Sequence, residues 1–112
     1  MSLLHQWDIV LVPYPSATNL HYLVLLSPNH LAGNADFRNL NGLVCSTLRP
    51  PDRPIRSHEV FLDAADGFEN KTACRCHLII EFAREDILRT RSRVSAVRQL
   101  AIRRKLREIF AL

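Results

Sequence analysis

The chain has 112 residues, a formal net charge of +4 at neutral pH, 47% hydrophobic residues and 23% charged residues. These values are typical of one globular domain, predicted over residues 1–112, and they exclude an intrinsically disordered chain. No apolar run approaches the roughly 20 residues that a membrane helix needs, and the opening MSLLHQW lacks the basic and apolar regions of a signal peptide. We therefore expect a cytoplasmic protein with no membrane contact.

Two strands and a loop are predicted in the first third of the chain. Trp7–Val12 is almost entirely apolar and stops at Pro13, which indicates a strand that is buried on both faces. A short polar loop separates it from His21–Ser27, whose unbroken apolar run predicts a second strand and a hairpin with the first. Pro28–Asn41 is rich in polar residues and is predicted as a surface loop with one helical turn.

The third and fourth strands, Leu43–Leu48 and Glu59–Leu62, are joined by a basic loop. This loop, Arg49–Arg56 (RPPDRPIR), contains three prolines and three arginines. Prolines restrict the backbone of a loop, and arginine is suited to bidentate contacts with phosphate groups. The loop therefore predicts a polyanionic partner, most simply RNA.

Thr72–Phe82 is predicted as a long fifth strand. Its alternation places Cys74 and Cys76 on the core face, where cysteine packs as a small apolar residue. The chain has three cysteines, which cannot all pair, and their spacing is not that of a structural zinc site. We expect reduced thiols, no metal and no cofactor.

The last third begins with a short turn, Arg84–Leu88, and a basic edge segment, Arg89–Val94. A terminal helix follows, with Ser95 as its N-cap and an apolar stripe along one side. The arginines of this helix could bind a polyanion or form a solvated face, and for the helix we favour the solvated face. Together the elements predict a mainly β fold with a C-terminal α-helix.

Segments along nearly the whole chain resemble, in the correct order, the PemK/MazF family of toxin ribonucleases. The opening WDIVLVPYP, from Trp7, resembles the family's GDIVLVPFP with a tryptophan at the glycine position. LVLLS, from Leu23, resembles the apolar half of RPALVIS, and VCSTLRP, from Val44, resembles VCPITS. HEVFLDAADGF resembles PxEVxL with its following turn, CRCHLI resembles the CDQI run, and RSRVS with the helix after it resembles RGxLS and its helix.

The resemblance implies a small SH3-like β-barrel of the PemK/MazF/CcdB type with a C-terminal helix. It also implies a homodimer that cleaves single-stranded RNA at selected sequences without a metal ion, and a cognate antitoxin as partner. In that chemistry an arginine and a threonine or serine handle the scissile phosphate, and the ribose 2′-hydroxyl attacks. Stabilising the resulting charge and moving protons requires a fixed cation and a hydroxyl or imidazole group.

The chain departs from the family pattern at these positions. The arginine of the family's Arg-Pro pair falls on His21, which could replace it as a cation or proton carrier, or could be a strand-start histidine that faces water. Without a gap the family threonine falls on Leu48, so Thr47 and Ser46 are the shifted candidates, although a strand hydroxyl can also bond locally. Arg49, next to these hydroxyls, is the predicted phosphate clamp.

Four further residues are predicted to contact RNA. Arg53 and Arg56 would position its backbone, and His58 would reach the site from the start of the fourth strand or remain an exposed residue there. Tyr14 could stack on a nucleobase or cap the barrel, and we favour the cap.

The predicted function is therefore a toxin of a toxin-antitoxin pair that acts as an endoribonuclease. The alternative is a non-catalytic or decayed barrel that binds a protein target, as CcdB-type toxins inhibit DNA gyrase. A third interpretation, a small barrel that only binds nucleic acid, requires no more than the charge pattern.

Overall fold

Six strands and two α-helices organise the structure, a computed structural model that describes residues 3–112. The strands are β1 (Asp8–Pro13), β2 (Leu20–Leu25), β3 (Asn39–Thr47), β4 (Glu59–Leu62), β5 (Thr72–Ala83) and β6 (Arg89–Arg93), and the helices are α1 (Asn29–Ala32) and α2 (Ala96–Phe110). All strands join one antiparallel sheet in the order β4-β5-β3-β2-β1-β6, which curls into a half-barrel. The predicted mainly β fold with a C-terminal helix is confirmed.

The central strands are buried on both faces. β1 and β2 form the predicted hairpin, with Ile9 opposite Val24 and Leu11 opposite Tyr22. The neighbours Ile9 and Val10 point to opposite faces, yet both are fully buried. The continuous apolar composition of these strands follows from this double burial.

The core accordingly has two parts, one on each face of the sheet. The helix-side core contains Trp7, Ile9, Val24, Leu43, Cys45, Val60, Leu62, Phe68, Cys74, Cys76, Val94 and Ile102. The outer core contains Val10, Val12, Leu23, Leu25, Ala32, Leu40, Val44, Ile80 and Phe82. Cys74 and Cys76 are buried in the helix-side core, as predicted, and Cys45 is buried with them. Hydrogen bonds with Cys45 and Cys76 together with burial raise the pKa of the Cys74 thiol.

β5 bends where its register with β3 changes. Leu43 pairs with Ile79, but Cys45 pairs with Cys74, so extra residues of β5 bulge out between these two points. The first half of β5 also pairs with β4, which places Val60 opposite Cys74. Because bulges bend a strand and increase its twist, this one helps the sheet to curl around the helix-side core.

β3 begins earlier than the sequence predicts. The segment Pro28–Asn41 does contain one helical turn, α1, but its last residues belong to β3 and not to a loop. Leu40 is fully buried, whereas Asn39 and Asn41 on either side face outward. The predicted boundary at Leu43 is wrong because these outward asparagines give the start of the strand the composition of a loop.

Helix α2 is anchored through Asp66. Ser95 occupies the N-cap position, as predicted, but its hydroxyl makes no capping bond. Instead the backbone N–H of Ser95 donates to Oδ1 of the fully buried Asp66 at 2.9 Å, and Nη1 of Arg98 lies 3.2 Å from Oδ2 of the same carboxylate.

Within residues 3–112 no helix is long and apolar enough to cross a membrane.

Candidate functional site

A row of paired residues crosses the sheet on its helix-side face. Arg89 of β6 lies opposite Leu11 of β1, Leu11 opposite Tyr22 of β2, and Tyr22 opposite Cys45 of β3. Directly paired residues of an antiparallel sheet project from the same face, so these side chains are neighbours. The antiparallel pairing thus brings Arg89 and Tyr22, which are 67 positions apart in the chain, onto one surface.

This row forms the floor of an open groove of about 550 Å³ at the start of β2 and the end of β3. The lining residues are Leu11, Leu20, His21, Tyr22, Cys45, Ser46, Thr47, Arg49 and Arg89. A smaller cavity of about 160 Å³ shares Tyr22, Cys45 and Thr47 with it and extends the surface to Phe68 and Arg91. We call these two connected cavities the groove. Four of the residues predicted from the sequence, His21, Ser46, Thr47 and Arg49, line it. By strand alternation Thr47 shares the face of Cys45, whereas His21, opposite Val12, and Ser46 belong to the other face and reach the groove at its rim.

His21 is held by a backbone contact in the groove wall. Its Nδ1 atom lies 2.7 Å from the carbonyl oxygen of Tyr14, and the two rings pack edge to face at 6.3 Å. Because a carbonyl oxygen only accepts hydrogen bonds, Nδ1 must carry a proton. Nε2 is then the nitrogen that gains and loses a proton, as a general base or acid requires. Tyr14 thus orients His21 and is not among the residues that line the groove.

The end of β3 supplies two hydroxyl groups. Leu48, on which the family threonine falls without a gap, is 3% exposed and belongs to the interior. Thr47 is exposed and Ser46 is half-buried, and both line the groove. The shifted alignment therefore agrees with the burial pattern, and Arg49 follows directly as an exposed arginine in the same groove.

The basic loop beyond Arg49 is arranged differently from the groove. Arg53 donates from Nη1 and Nη2 to Oε1 and Oε2 of Glu59, at 3.0 and 3.2 Å, and the Glu59 side chain is only 4% exposed. Burial raises the pKa of Glu59, but the hydrogen bonds from Arg53 and from the Arg56 backbone, with the charge of Arg53, outweigh it, so the pKa lies below its ordinary value. Arg53 therefore holds the loop to β4, while the Arg56 side chain is exposed.

His58 contacts another histidine and does not line the groove. Its ring packs edge to face against His77 of β5, with ring centroids 4.1 Å apart. Burial and the neighbouring charges of His58 and Arg75 lower the pKa of His77, partly opposed by Glu59. The structure thus places Arg53, Arg56 and His58 outside the groove that contains the other candidates.

Three residues of the groove were missed by the sequence analysis: Tyr22, Arg89 and Arg91. Arg89 and Arg91 both donate to the Tyr22 hydroxyl, Arg91 at 3.3 Å, and both guanidinium groups lie over its ring, 5.7 and 5.3 Å from the centroid. Burial raises the pKa of Tyr22, but the hydrogen bonds and charges of the two arginines bring it below its ordinary value. The alternation of arginine in RTRSR was the available signal, and it applies to Arg89 and Arg91 but not to Arg93, which pairs with Asp8 beyond a bulge.

The arrangement combines a histidine, two hydroxyl groups and several arginines in one open groove. Such a set can bind a phosphate group, move a proton and stabilise developing negative charge. In the part of the chain that the structure describes, no three His, Cys, Asp or Glu side chains are grouped so as to hold a metal ion.

Neither a protein-family model nor a curated protein sequence matches the chain. Solved structures do match its fold. The Mycobacterium tuberculosis toxin MazF-mt6 is 15% identical, with 94% of this chain and 97% of that chain covered and a TM-score of 0.77. MazF from Deinococcus radiodurans is 14% identical over the whole of both chains, with a TM-score of 0.77. An endoribonuclease from a mycobacterial species, in complex with its cognate antitoxin, is 11% identical, with coverage of 100% and 97% and a TM-score of 0.76.

These similarities define the architecture of the chain. A half-barrel of six antiparallel strands with a C-terminal helix is a MazF/PemK-type toxin fold. The resemblance read from the sequence segments is thereby confirmed at the level of the fold.

Proposed function

We propose that this protein is the toxin of a toxin-antitoxin pair and cleaves single-stranded RNA at selected sequences without a metal ion. The observation that carries the proposal is the convergence of His21, Ser46, Thr47 and Arg49 on one groove of a MazF-type fold. These residue types supply a proton carrier, hydroxyl donors and a cation, which are the groups that phosphodiester cleavage needs.

In the proposed reaction the ribose 2′-oxygen attacks phosphorus and the bond to the 5′-oxygen breaks. Nε2 of His21 takes the proton of the 2′-hydroxyl, because Nδ1 is committed to the Tyr14 carbonyl. Thr47, supported by Ser46, donates a hydrogen bond to the phosphorane, and Arg49 offsets its negative charge. The groove is open to solvent, so water can protonate the departing 5′-oxygen. The products are a 2′,3′-cyclic phosphate and a 5′-hydroxyl.

Residues outside the groove would extend the contact with RNA. Arg56 is exposed and can bind the RNA backbone directly, whereas Arg53 must first release Glu59. His58 could add a contact beside this loop, while Tyr14 acts chiefly through His21. We expect Arg56 to contribute more to binding than Arg53.

The proposal includes a cognate antitoxin and a homodimer. The antitoxin is supported by the mycobacterial endoribonuclease of the same fold, whose solved structure includes its antitoxin. The homodimer rests on the resemblance of the sequence segments to the family. RNA as substrate also implies the cytoplasm as the place of action.

The direct test is incubation of the purified protein with a long single-stranded RNA in EDTA, followed by mapping of the new ends. We expect discrete cuts from the wild type and none from the His21→Ala, Thr47→Ala double variant. A His30→Ala, Thr18→Ala double variant is the matched control, because both positions are exposed and lie outside the groove. Equal cutting by the two double variants would contradict the assigned roles.

A second candidate function is inhibition of a protein target without catalysis. It is favoured by two exposed apolar residues, Phe110 at the end of α2, at 43% exposure, and Leu112 two residues beyond it, at 87%. Exposed apolar residues that lie together are a common feature of protein interfaces. Intact RNA at a large excess of wild-type protein would favour this candidate over the ribonuclease.

A further inference from the structure

Arg89 and Arg91 differ from the arginines that support the fold. Three of the latter are paired with carboxylates, Arg53 with Glu59, Arg93 with Asp8 and Arg98 with Asp66, and Arg84 donates to the carbonyl oxygens of three residues. Arg91 is about as buried as Arg53 and Arg98, yet its carboxylate partner is Glu69, at 3.7 Å, whose side chain is 85% exposed. Within residues 3–112 Arg89 makes no ion pair at all.

The two arginines are aimed at one point in the groove. Arg89 pairs with Leu11 in regular register, but Arg91 is the extra residue of a bulge, because Ile9 pairs with Ser92 and the next residue pairs with Thr90. Bulges redirect side chains and are common beside functional sites. The Arg91 guanidinium is further fixed by a hydrogen bond of 2.6 Å from Nε to the Gly67 carbonyl.

We propose that Arg89 and Arg91, arranged around the Tyr22 hydroxyl, form a phosphate-binding subsite for single-stranded nucleic acid. The inference rests on the proposed function and adds a second anion contact to its groove. Tyr22 is a positioning residue here: its hydroxyl receives both guanidinium groups and its ring packs edge to face on Phe68 at 5.9 Å.

The chemistry favours a phosphate over a neutral ligand. The only carboxylate beside the two guanidinium groups among the described residues is that of the exposed Glu69, which also lines the smaller cavity, so the pair keeps a net positive charge. Arginine binds phosphate oxygens in a bidentate manner. A phosphodiester oxygen beside Tyr22 would accept hydrogen bonds from both arginines and from the phenol. An aromatic ring at the same place also offers a surface on which a base can stack.

This subsite is separate from the predicted clamp at Arg49. Arg49 follows β3 and Arg89 begins β6, with β2 and β1 between them. The three strand spacings place their backbones roughly 14 Å apart across the groove. Such a separation suits two successive contacts along a single nucleic-acid strand, with His21 on β2 between them and Thr47 at the end of β3, on the Arg49 side.

The test is the salt dependence of binding to a fluorescent single-stranded DNA, which lacks the 2′-hydroxyl and is not cleaved by the proposed reaction. Each phosphate contact to a single strand adds about 0.7 to the slope of log K against log salt concentration. Arg89→Gln and Arg91→Gln should each lower the slope by about 0.7 and weaken binding several-fold. The double variant should lower the slope by about 1.4. Arg104→Gln removes the same charge from an exposed position of α2 and should leave the slope unchanged.

Further variants separate binding from folding. Arg89 makes its side-chain hydrogen bond only with Tyr22 among the described residues, so Arg89→Gln should fold even where Arg91→Gln, which loses the Gly67 contact, does not. Arg89→Lys keeps the charge and should restore the slope. A slope in Arg89→Gln equal to that of Arg104→Gln overturns the subsite.

RNA cleavage by the same proteins distinguishes this inference from the proposed function. If the wild type cuts RNA while Arg89→Gln has an unchanged slope, the ribonuclease stands and the subsite is wrong. If the wild type leaves RNA intact while Arg89→Gln lowers the slope, the subsite stands and the ribonuclease is wrong.

Discussion

Glu59 binds Arg53 of the basic loop and so limits the contacts that Arg53 can make with a ligand. Its carboxylate is almost fully buried and accepts hydrogen bonds from both terminal nitrogens of Arg53 and from the backbone N–H of Arg56. A buried carboxylate without such partners would be strongly unfavourable. Arg53 therefore stabilises the fold, whereas the Arg56 side chain is available to solvent and ligands.

The stability of the protein should depend on pH through Glu59. The pKa of Glu59 is lowered in the folded protein, so its ion pair stabilises the fold above the ordinary value of 4.5 and is lost as the pH falls from there through the lowered pKa. Glu59→Gln should lower the free energy of unfolding at pH 7 by about 2 kcal/mol. This deficit should shrink as urea unfolding is repeated from pH 5 toward pH 3.

Glu108→Gln provides the control for that series. Glu108 pairs with Lys105 at 3.5 Å, but its side chain is 71% exposed, and surface pairs of this kind contribute little. The free energy of unfolding of Glu108→Gln should equal that of the wild type at every pH. A Glu59→Gln deficit that stays constant down to pH 3 would contradict the assignment.

At the scale of single residues, the sequence predicts part of the groove. His21, Thr47 and Arg49 are predicted because they fall at or beside the family's arginine and threonine positions, and these positions lie near strand ends. Tyr22 and Arg89 lie 67 positions apart in the chain, and their contact depends on β6 pairing with β1. No local pattern encodes that pairing, and the alternation of RTRSR does not separate Arg89 and Arg91 from Arg93, which pairs with Asp8.

At the scale of elements, α2 is the part of the fold that covers the helix-side core. Ile102 is its fully buried residue and packs with strand residues of that core. Ala101, Leu106 and Ile109 are partly buried against the same core. The arginines of α2 lie mostly at its surface, except Arg98, which is tied to the buried Asp66.

The prediction for α2 is a stability difference between two of its apolar positions. Ile102→Ala removes a fully buried side chain and should lower the free energy of unfolding by about 3 kcal/mol. Val97→Ala, at a position that is 76% exposed, should change it by less than about 0.5 kcal/mol. Chemical denaturation of the two variants beside the wild type gives both values. Similar losses from both substitutions would mean that α2 does not pack as described.

The elements that the sequence predicts best are those with unambiguous composition. The bounds of β4, Glu59–Leu62, agree with the prediction, because a turn signal lies on each side of a short apolar run. β3 is predicted too short, since its outward asparagines resemble a loop. The bulge of β5 is not predicted, because it depends on simultaneous pairing with β3 and β4.

At the scale of the whole molecule, the curled sheet determines where the charges meet. The start of β2, the end of β3 and the start of β6 lie at the same edge of the sheet, with β1 between β2 and β6, so residues near positions 21, 47 and 89 share one groove. The core on both faces of the sheet keeps these strand ends fixed relative to one another. Such pre-organisation is what the proposed phosphodiester chemistry requires of its donors and cations.

The central claim is that this groove uses the 2′-hydroxyl of RNA to break a phosphodiester bond. The most direct measurement compares two RNA oligonucleotides in EDTA, one all-ribose and one with a single 2′-deoxyribose on the 5′ side of a mapped cut. The account predicts cleavage of the all-ribose strand, with a 2′,3′-cyclic phosphate end, and no cleavage of the substituted strand at that bond. Cleavage of both strands at that bond, or a free 3′-hydroxyl end, would contradict it.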